Sequence, residues 1–118
     1  MSDENLTLHF TKAEMACKCG CGAVAMKSFF MQKLQALRVE YGRQMVITSG
    51  FRCNNYNMKI KGAVNSFHLR GMAIDVSLVD AGERRKLIAL ALPMGFSVGA
   101  DKAFLHLDLR EDPIFFLY

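Results

Sequence analysis

The run Phe104-Leu105-His106-Leu107-Asp108-Leu109-Arg110 places a leucine at every second position without a break. Strand side chains point to opposite faces in turn, so this run reads as a strand. Leu105, Leu107 and Leu109 would face a core, and Phe104, His106, Asp108 and Arg110 the other side. An imidazole and a carboxylate on one strand face require a sheet whose leucine side is covered and whose polar side is sheltered or used. Ala73-Ile74-Asp75-Val76-Ser77 repeats the pattern, with Ile74 and Val76 on one side and Ala73, Asp75 and Ser77 on the other. A carboxylate again falls on a strand's polar face.

The other elements fit around such a sheet. Thr11 and Glu14 have the spacing of a capping box for a short helical turn, which the following Cys/Gly stretch ends. Apolar residues at 26, 30, 34, 37 and 41 draw one stripe on a helix that Gly42 stops. Met45 to Thr48 reads as a short buried strand ending at Ser49-Gly50, which delivers Arg52 at the strand's C-terminal edge. Residues 53 to 72 read as a long loop with one helical turn near Asn54 to Lys59, and long ordered loops in small domains are usually functional. Asp80 and Glu83 start a further helix whose stripe is Leu87, Ile88, Ala91 and Leu92, broken at Pro93-Met94-Gly95. Phe96 to Gly99 is another short strand. Helices and strands mix without a βαβ repeat, which predicts an α+β fold: a small antiparallel sheet with flanking helices.

At 118 residues, 52% hydrophobic, the chain has the size and core-forming capacity of one domain spanning 1–118. No apolar run reaches the ~18 residues of a membrane helix. The acidic start, Met1-Ser2-Asp3-Glu4-Asn5, lacks the pattern of a secretory signal. The expectation is a monomer made in the cytoplasm, with no membrane partner. The net charge of +4 favours anionic partners such as nucleic acid or a bacterial cell wall, but the basic residues are scattered rather than gathered in a nucleic-acid footprint. No nucleic-acid partner is expected.

Four cysteines fall at 17, 19, 21 and 53. Zinc ribbons and knuckles usually place at least two residues between paired thiolates, and C-x-C-x-C does not match them. Free or partly buried thiols are the expectation, with a four-thiolate zinc site and a disulfide to Cys53 as alternatives.

Two of the three histidines lie near carboxylates. His9 reads as ordinary. His68 belongs to the pattern S-x-H-x-x-G-x-A-x-D over 66 to 75, in which Gly71 supplies an unusual backbone angle and Ala73 leaves room beside Asp75. A histidine on the approach to a strand and an aspartate on its polar face can converge on one ion, with His106 of a neighbouring strand as third ligand. Two nitrogens, one carboxylate oxygen and a fourth position open to water make a catalytic zinc set. Taken singly, His68 reads as a surface loop residue and His106 as a hydrogen-bonded strand residue; the joint pattern favours the metal.

Ser49-Gly50-Phe51-Arg52, the 66 to 75 motif and Phe104-Leu105-His106-Leu107-Asp108 together resemble the zinc D-Ala-D-Ala carboxypeptidase family, the M15-type peptidases. The likeness extends over nearly the whole chain, to compact members often encoded by bacteriophages, whose fold is shared with the hedgehog signalling domain. The resemblance implies zinc held by His68, Asp75 and His106, Arg52 holding a carbonyl or carboxylate oxygen of the substrate, and Ser66 hydrogen-bonding substrate. Phe51 stands where the family usually has Tyr. Better-known members carry an acidic base three residues before the last ligand, where this chain has Ala103. Asp101, just upstream as in hedgehog-like domains, is the expected general base, with Asp108 as its rival or as a carboxylate that orients a ligand.

The expected activity is zinc-dependent hydrolysis of peptidoglycan stem peptides, as a D-Ala-D-Ala carboxypeptidase or an endolysin-type endopeptidase. The protein would act on the wall after release in phage lysis or from a virion, or by another export route. A non-catalytic zinc-containing module that binds cell wall or a protein is the alternative. A cysteine-rich structural or nucleic-acid protein is a third reading, requiring metal at the thiols and none at His68.

Overall fold

The two alternating segments form adjacent strands. Residues 4–118 are described by a computed structural model, so the acidic stretch at 1–5 lies partly outside the described residues. Strands β1 (Asn5–Thr7) and β2 (Phe10–Thr11) make a small antiparallel ribbon, followed by α1 (Lys12–Met15), α2 (Ser28–Tyr41), β3 (Val46–Ser49) and α3 (Asn54–Lys59). A 3-10 turn over Phe67–Arg70 leads into β4 (Ala73–Ser77), and α4 (Ala81–Ala91), β5 (Ser97–Ala100), β6 (Phe104–Asp108) and β7 (Phe115–Leu117) complete the chain.

The main sheet has the order β3-β4-β6-β5-β7. All neighbours are antiparallel except β5 and β7, which run parallel, so the sheet is mixed at that edge. On the covered face Ile74 pairs with Leu107 and Leu107 with Val98, and all three are fully buried. The helices α2 and α4 pack against one another, and Phe30, Leu34, Leu37, Leu87 and Ala91 complete the core. Phe30 and Phe96 meet edge to face, ring centroids 6.0 Å apart.

The capping signals act as their chemistry requires. The Glu14 N–H donates to Thr11 Oγ1 at 3.1 Å while the Thr11 N–H donates to Glu14 Oε1 at 2.9 Å. Asp80 accepts the Glu83 N–H at 2.9 Å, and Gly42 ends α2 in the left-handed region. Two expectations are corrected. The predicted buried strand at Met45 to Thr48 starts one residue later and is an edge strand, so Val46 is half exposed while Ile47 faces the core. Leu92 lies past the end of α4 and is exposed. The ribbon β1–β2 was not expected from the sequence pattern, whereas β7 is the closing aromatic strand that the family resemblance implies.

Gly71 has φ +69, and a Cβ there would run into the Ala25 carbonyl oxygen, while the Gly71 carbonyl accepts the Lys27 N–H at 2.9 Å. The 3-10 turn therefore ends at a residue that only glycine fills without strain. Gly71→Ala is expected to lower stability by about 2 kcal/mol or more, the left-handed backbone and the clash adding together. Urea unfolding measures this, and an unchanged midpoint would contradict the packing described.

Candidate metal centre

Register brings the site together. Asp75 of β4 lies directly opposite His106 of β6, and His106 lies opposite Gly99 of β5. Gly99 has no side chain, so the Phe116 ring occupies that space and stands 5.8 Å from the His106 ring. His68 enters from the 3-10 turn before β4. Ser66 Oγ caps that turn by accepting the His68 N–H at 3.2 Å, which leaves its own O–H free to donate to a ligand. His68, Asp75 and His106 are all buried.

The hydrogen bonds fix which ring nitrogens carry protons. His68 Nδ1 lies 2.7 Å from the Gly50 carbonyl oxygen, which only accepts, so Nδ1–H donates and Nε2 keeps its lone pair. His106 Nε2–H donates to Asp108 Oδ2 at 2.7 Å, which turns the Nδ1 lone pair towards Asp75. Asp108 is fully buried, and Arg110 grips both its oxygens, at 3.0 and 2.6 Å. Burial alone would raise its carboxyl pKa, but His106 and Arg110 outweigh that and lower it.

His68 Nε2 and His106 Nδ1 thus lie 3.2 and 3.1 Å from the same oxygen, Asp75 Oδ1. A tetrahedral ion with ~2.0–2.1 Å bonds sets its ligand atoms ~3.3–3.4 Å apart, close to these separations. Three electron-pair donors on one point, each with its partner bond already made behind it, fit a divalent cation. In the metal-free protein a proton on His106 Nδ1 fills the same gap. Burial would lower this imidazole's pKa, but Asp108 and Asp75 raise it above the ordinary histidine value. Burial would likewise raise Asp75, but bonds from His106 and His68 hold it far below the usual carboxylate range.

Arg52 lies alongside, reaching Asp75 Oδ2 at 3.4 Å, Ser49 Oγ at 3.3 Å and Asn57 Oδ1 at 3.4 Å. Three of its five N–H groups are engaged in these long bonds, so two remain for a ligand. Asn57 is buried and anchored by its own bond to the Ala63 carbonyl at 2.9 Å. Arg52, His68, Asp75 and His106 open on a cleft of about 640 Å³, lined also by Lys61, Ser66, Arg110, Phe116 and Tyr118. The Tyr118 hydroxyl is pushed up to about 12 by burial and by the carboxylates of Asp75, Asp108 and Asp101. A second cavity of about 530 Å³ between α2 and α4 is lined by Ala36, Val39, Glu40, Ala89, Leu90, Pro93 and Met94, with no set of groups for chemistry.

The predicted ligands, Arg52 and Ser66 therefore share one cleft, with Asp108 behind His106. Asp101 sits at the turn between β5 and β6, where its Oδ2 accepts the Ala103 N–H at 3.1 Å, and it is not among the residues lining the cleft. Asn57, Phe116 and Tyr118 were missed as site residues. Only the last two left a signal, the aromatic run at 115–118.

A mixed sheet bearing an imidazole and a carboxylate on its open face, joined by a second imidazole from the 3-10 turn and a held guanidinium, defines an α+β domain with a candidate mononuclear metal centre in a substrate-sized cleft. The family model described as Peptidase M15 matches residues 8–108, and the chain belongs to that family of peptidases. No curated protein matches the chain.

Two outcomes follow from the hydrogen bonding. Asp108→Asn removes the charge that holds the His106 Nε2–H, so metal affinity should fall roughly 10- to 100-fold, read by competition with a chelator. The raised His106 pKa means that its contribution to the metal-free fold is complete below the unfolded value of ~6.5 and fades as pH rises through the folded value. Metal and proton compete for Nδ1, so the melting-temperature gain from added zinc should grow between about pH 6 and 8. A gain independent of pH would contradict that competition.

Proposed function

We propose that this protein is a zinc peptidase that cuts peptidoglycan stem peptides, either removing a terminal D-Ala or cleaving within the stem. The observation that carries the reading is the juxtaposition of the His68, Asp75 and His106 donors with the free N–H groups of Arg52 in a cleft whose other charged lining groups, among the described residues, are Lys61 and Arg110. Such a cleft suits a peptide that presents a carboxylate close to its scissile bond. The family match supports peptide-bond hydrolysis.

Zinc, when bound there, supplies Lewis-acid activation of water and of the scissile carbonyl. The chain's own residues do the rest. Arg52 holds a substrate carbonyl or carboxylate oxygen, with its fork steadied by Ser49 and Asn57. Ser66 donates its hydroxyl to substrate. Asp108 keeps His106 in the tautomer that faces Asp75. Phe116 and Tyr118 wall the cleft. We assign proton acceptance from the attacking water, and its delivery to the leaving amine, to Asp101, which lies outside the cleft lining but keeps Oδ1 free of the turn and would have to swing towards the cleft as substrate binds. The protein would act on the cell wall after release from the cell that makes it.

A non-catalytic, zinc-containing binding module is the second reading, favoured by Ala103 at the family's base position and by the Asp101 bond to the Ala103 amide. Turnover of purified muropeptides by the zinc-loaded protein separates the two, and binding without cleavage would establish the module.

Arg52→Lys should keep fold and zinc and lose most turnover, because an ammonium does not reproduce the two-pronged contact of a guanidinium. Asp101→Ala should lower kcat by about 10²-fold or more with zinc retained, in line with a general base. Full activity in Asp101→Ala would remove it from the mechanism.

A further inference from the structure

The C-x-C-x-C segment, whose spacing is too tight for a zinc ribbon and which leaves free thiols, a four-thiolate zinc site and a disulfide as the readings, is folded so that its sulfurs meet. On an extended strand, alternate residues lie ~6.5 Å apart. Here Gly20 and Gly22 take φ +90 and +81, and the Cys17 N–H closes the loop on the Ala23 carbonyl at 2.8 Å. The Sγ atoms of Cys17 and Cys19 come to 3.5 Å, and each lies 3.7 Å from Cys53 Sγ; Cys21 Sγ completes a group spanning no more than 4.8 Å.

These separations discriminate between the possible chemistries. A disulfide needs ~2.05 Å between sulfurs. A tetrahedral zinc ion with ~2.3 Å bonds sets its sulfurs about 3.7–3.8 Å apart, which Cys53 matches to both Cys17 and Cys19 at 3.7 Å and the Cys17–Cys19 pair approaches at 3.5 Å. Three of the sulfurs also accept backbone N–H groups at 3.4 Å: Cys17 from Cys53, Cys19 from Cys21, and Cys53 from Tyr56. Donors aimed at sulfur favour thiolates and fix their direction, as bonds behind a metal ligand do. Cys17 is buried while Cys19 and Cys21 are exposed, which gives an ion an entry path from solvent.

We propose that Cys17, Cys19, Cys21 and Cys53 form a second metal centre, a closed tetrathiolate site for one zinc ion, separate from the His68, Asp75, His106 group. With four protein ligands it has no open position, so its role is structural. It ties the segment after α1 to the residue that follows Arg52. The backbone already joins these segments next door, where the Phe51 N–H donates to the Met15 carbonyl at 2.9 Å and Gly50 lies against the Met15 backbone. The ion would fasten the loop from which Arg52 reaches the cleft.

The test is metal content of the full chain purified under reducing conditions. Two zinc ions per chain are expected in the wild type, one in His68→Ala/His106→Ala, and one in Cys19→Ser/Cys21→Ser. Should the cysteine variant fail to fold, two measurements on the wild type decide. Cobalt in place of zinc should give an intense sulfur-to-metal charge-transfer band that survives His68→Ala/His106→Ala. A thiol reagent should leave Cys19 and Cys21 unmodified until a chelator is added, despite their exposure. One zinc per chain, with no such band and with Cys19 and Cys21 freely modified, would overturn the site, as would a Cys17–Cys53 disulfide recovered as the stable form. None of these readouts depends on peptidase activity.

Discussion

The pairing of β4 with β6 is the constraint on which the site depends. Asp75 faces His106 because Ile74 faces Leu107 and Val76 faces Leu105 on the other side of the same two strands. A slip of β6 by one residue would exchange its faces. It would expose Leu105 and Leu107, both fully buried and each worth ~1.5–3 kcal/mol in burial. It would also push His106 and Asp108 into an apolar core without their partners, at further cost. The hydrophobic effect therefore fixes the geometry of the polar site to within one register.

The sheet positions only part of the site. His68 and Arg52 come from irregular segments, and their precision has a different source. The Gly50 carbonyl accepts from His68 Nδ1, the Arg52 N–H donates to the His68 carbonyl at 3.2 Å, and the Phe51 N–H is held by Met15. Residues 50–53 thus form a strap that steadies a donor nitrogen and the guanidinium together. Gly50 has to be glycine, because a Cβ there would lie 2.7 Å from the Met15 Cα and carbonyl oxygen. Gly62 plays a similar part beside Asn57 and Arg52, where any side chain would displace the groups that hold the guanidinium.

What the sequence revealed follows from how local each signal is. Alternation in 73–77 and 104–110, the caps at Thr11, Gly42 and Asp80, and the turn at 54–59 act over a few residues and were legible. The convergence of His68, Asp75 and His106 was legible because a strand's period puts Asp75 and His106 on polar faces and a short motif ties His68 to Asp75. Strand β7 pairs parallel to β5 and fills the space over Gly99, a long-range fit that no local pattern encodes. Asn57 lies in the helical turn expected at 54–59, but its bonds to Arg52 and to the Ala63 carbonyl are made by the folded loop and leave no mark in the local pattern. The cysteine cluster was obscured for the opposite reason: a spacing rule derived from regular knuckles does not anticipate two left-handed glycines that fold the ligands together.

Charge balance ties these parts to chemistry. Asp75 and Asp108 are offset by Arg52 and Arg110, each within hydrogen-bond reach of its partner carboxylate. With both histidines neutral the buried group carries no net charge, and in the metal-free protein the extra proton on His106 is held between Asp75 and Asp108. The fold can therefore keep the donors assembled before any ion arrives. A divalent cation at the three donors would displace that proton and make the cluster more positive, facing a cleft that already holds Lys61. The gain in field is greatest where the guanidinium has its free N–H groups, which is where an anionic or polarised substrate oxygen would be drawn. On the proposed reading, Arg52 and Lys61 would draw a carboxylate-bearing peptide into the cleft, and an ion held by His68, Asp75 and His106 would add to that pull, so selectivity and chemistry would share one set of charges.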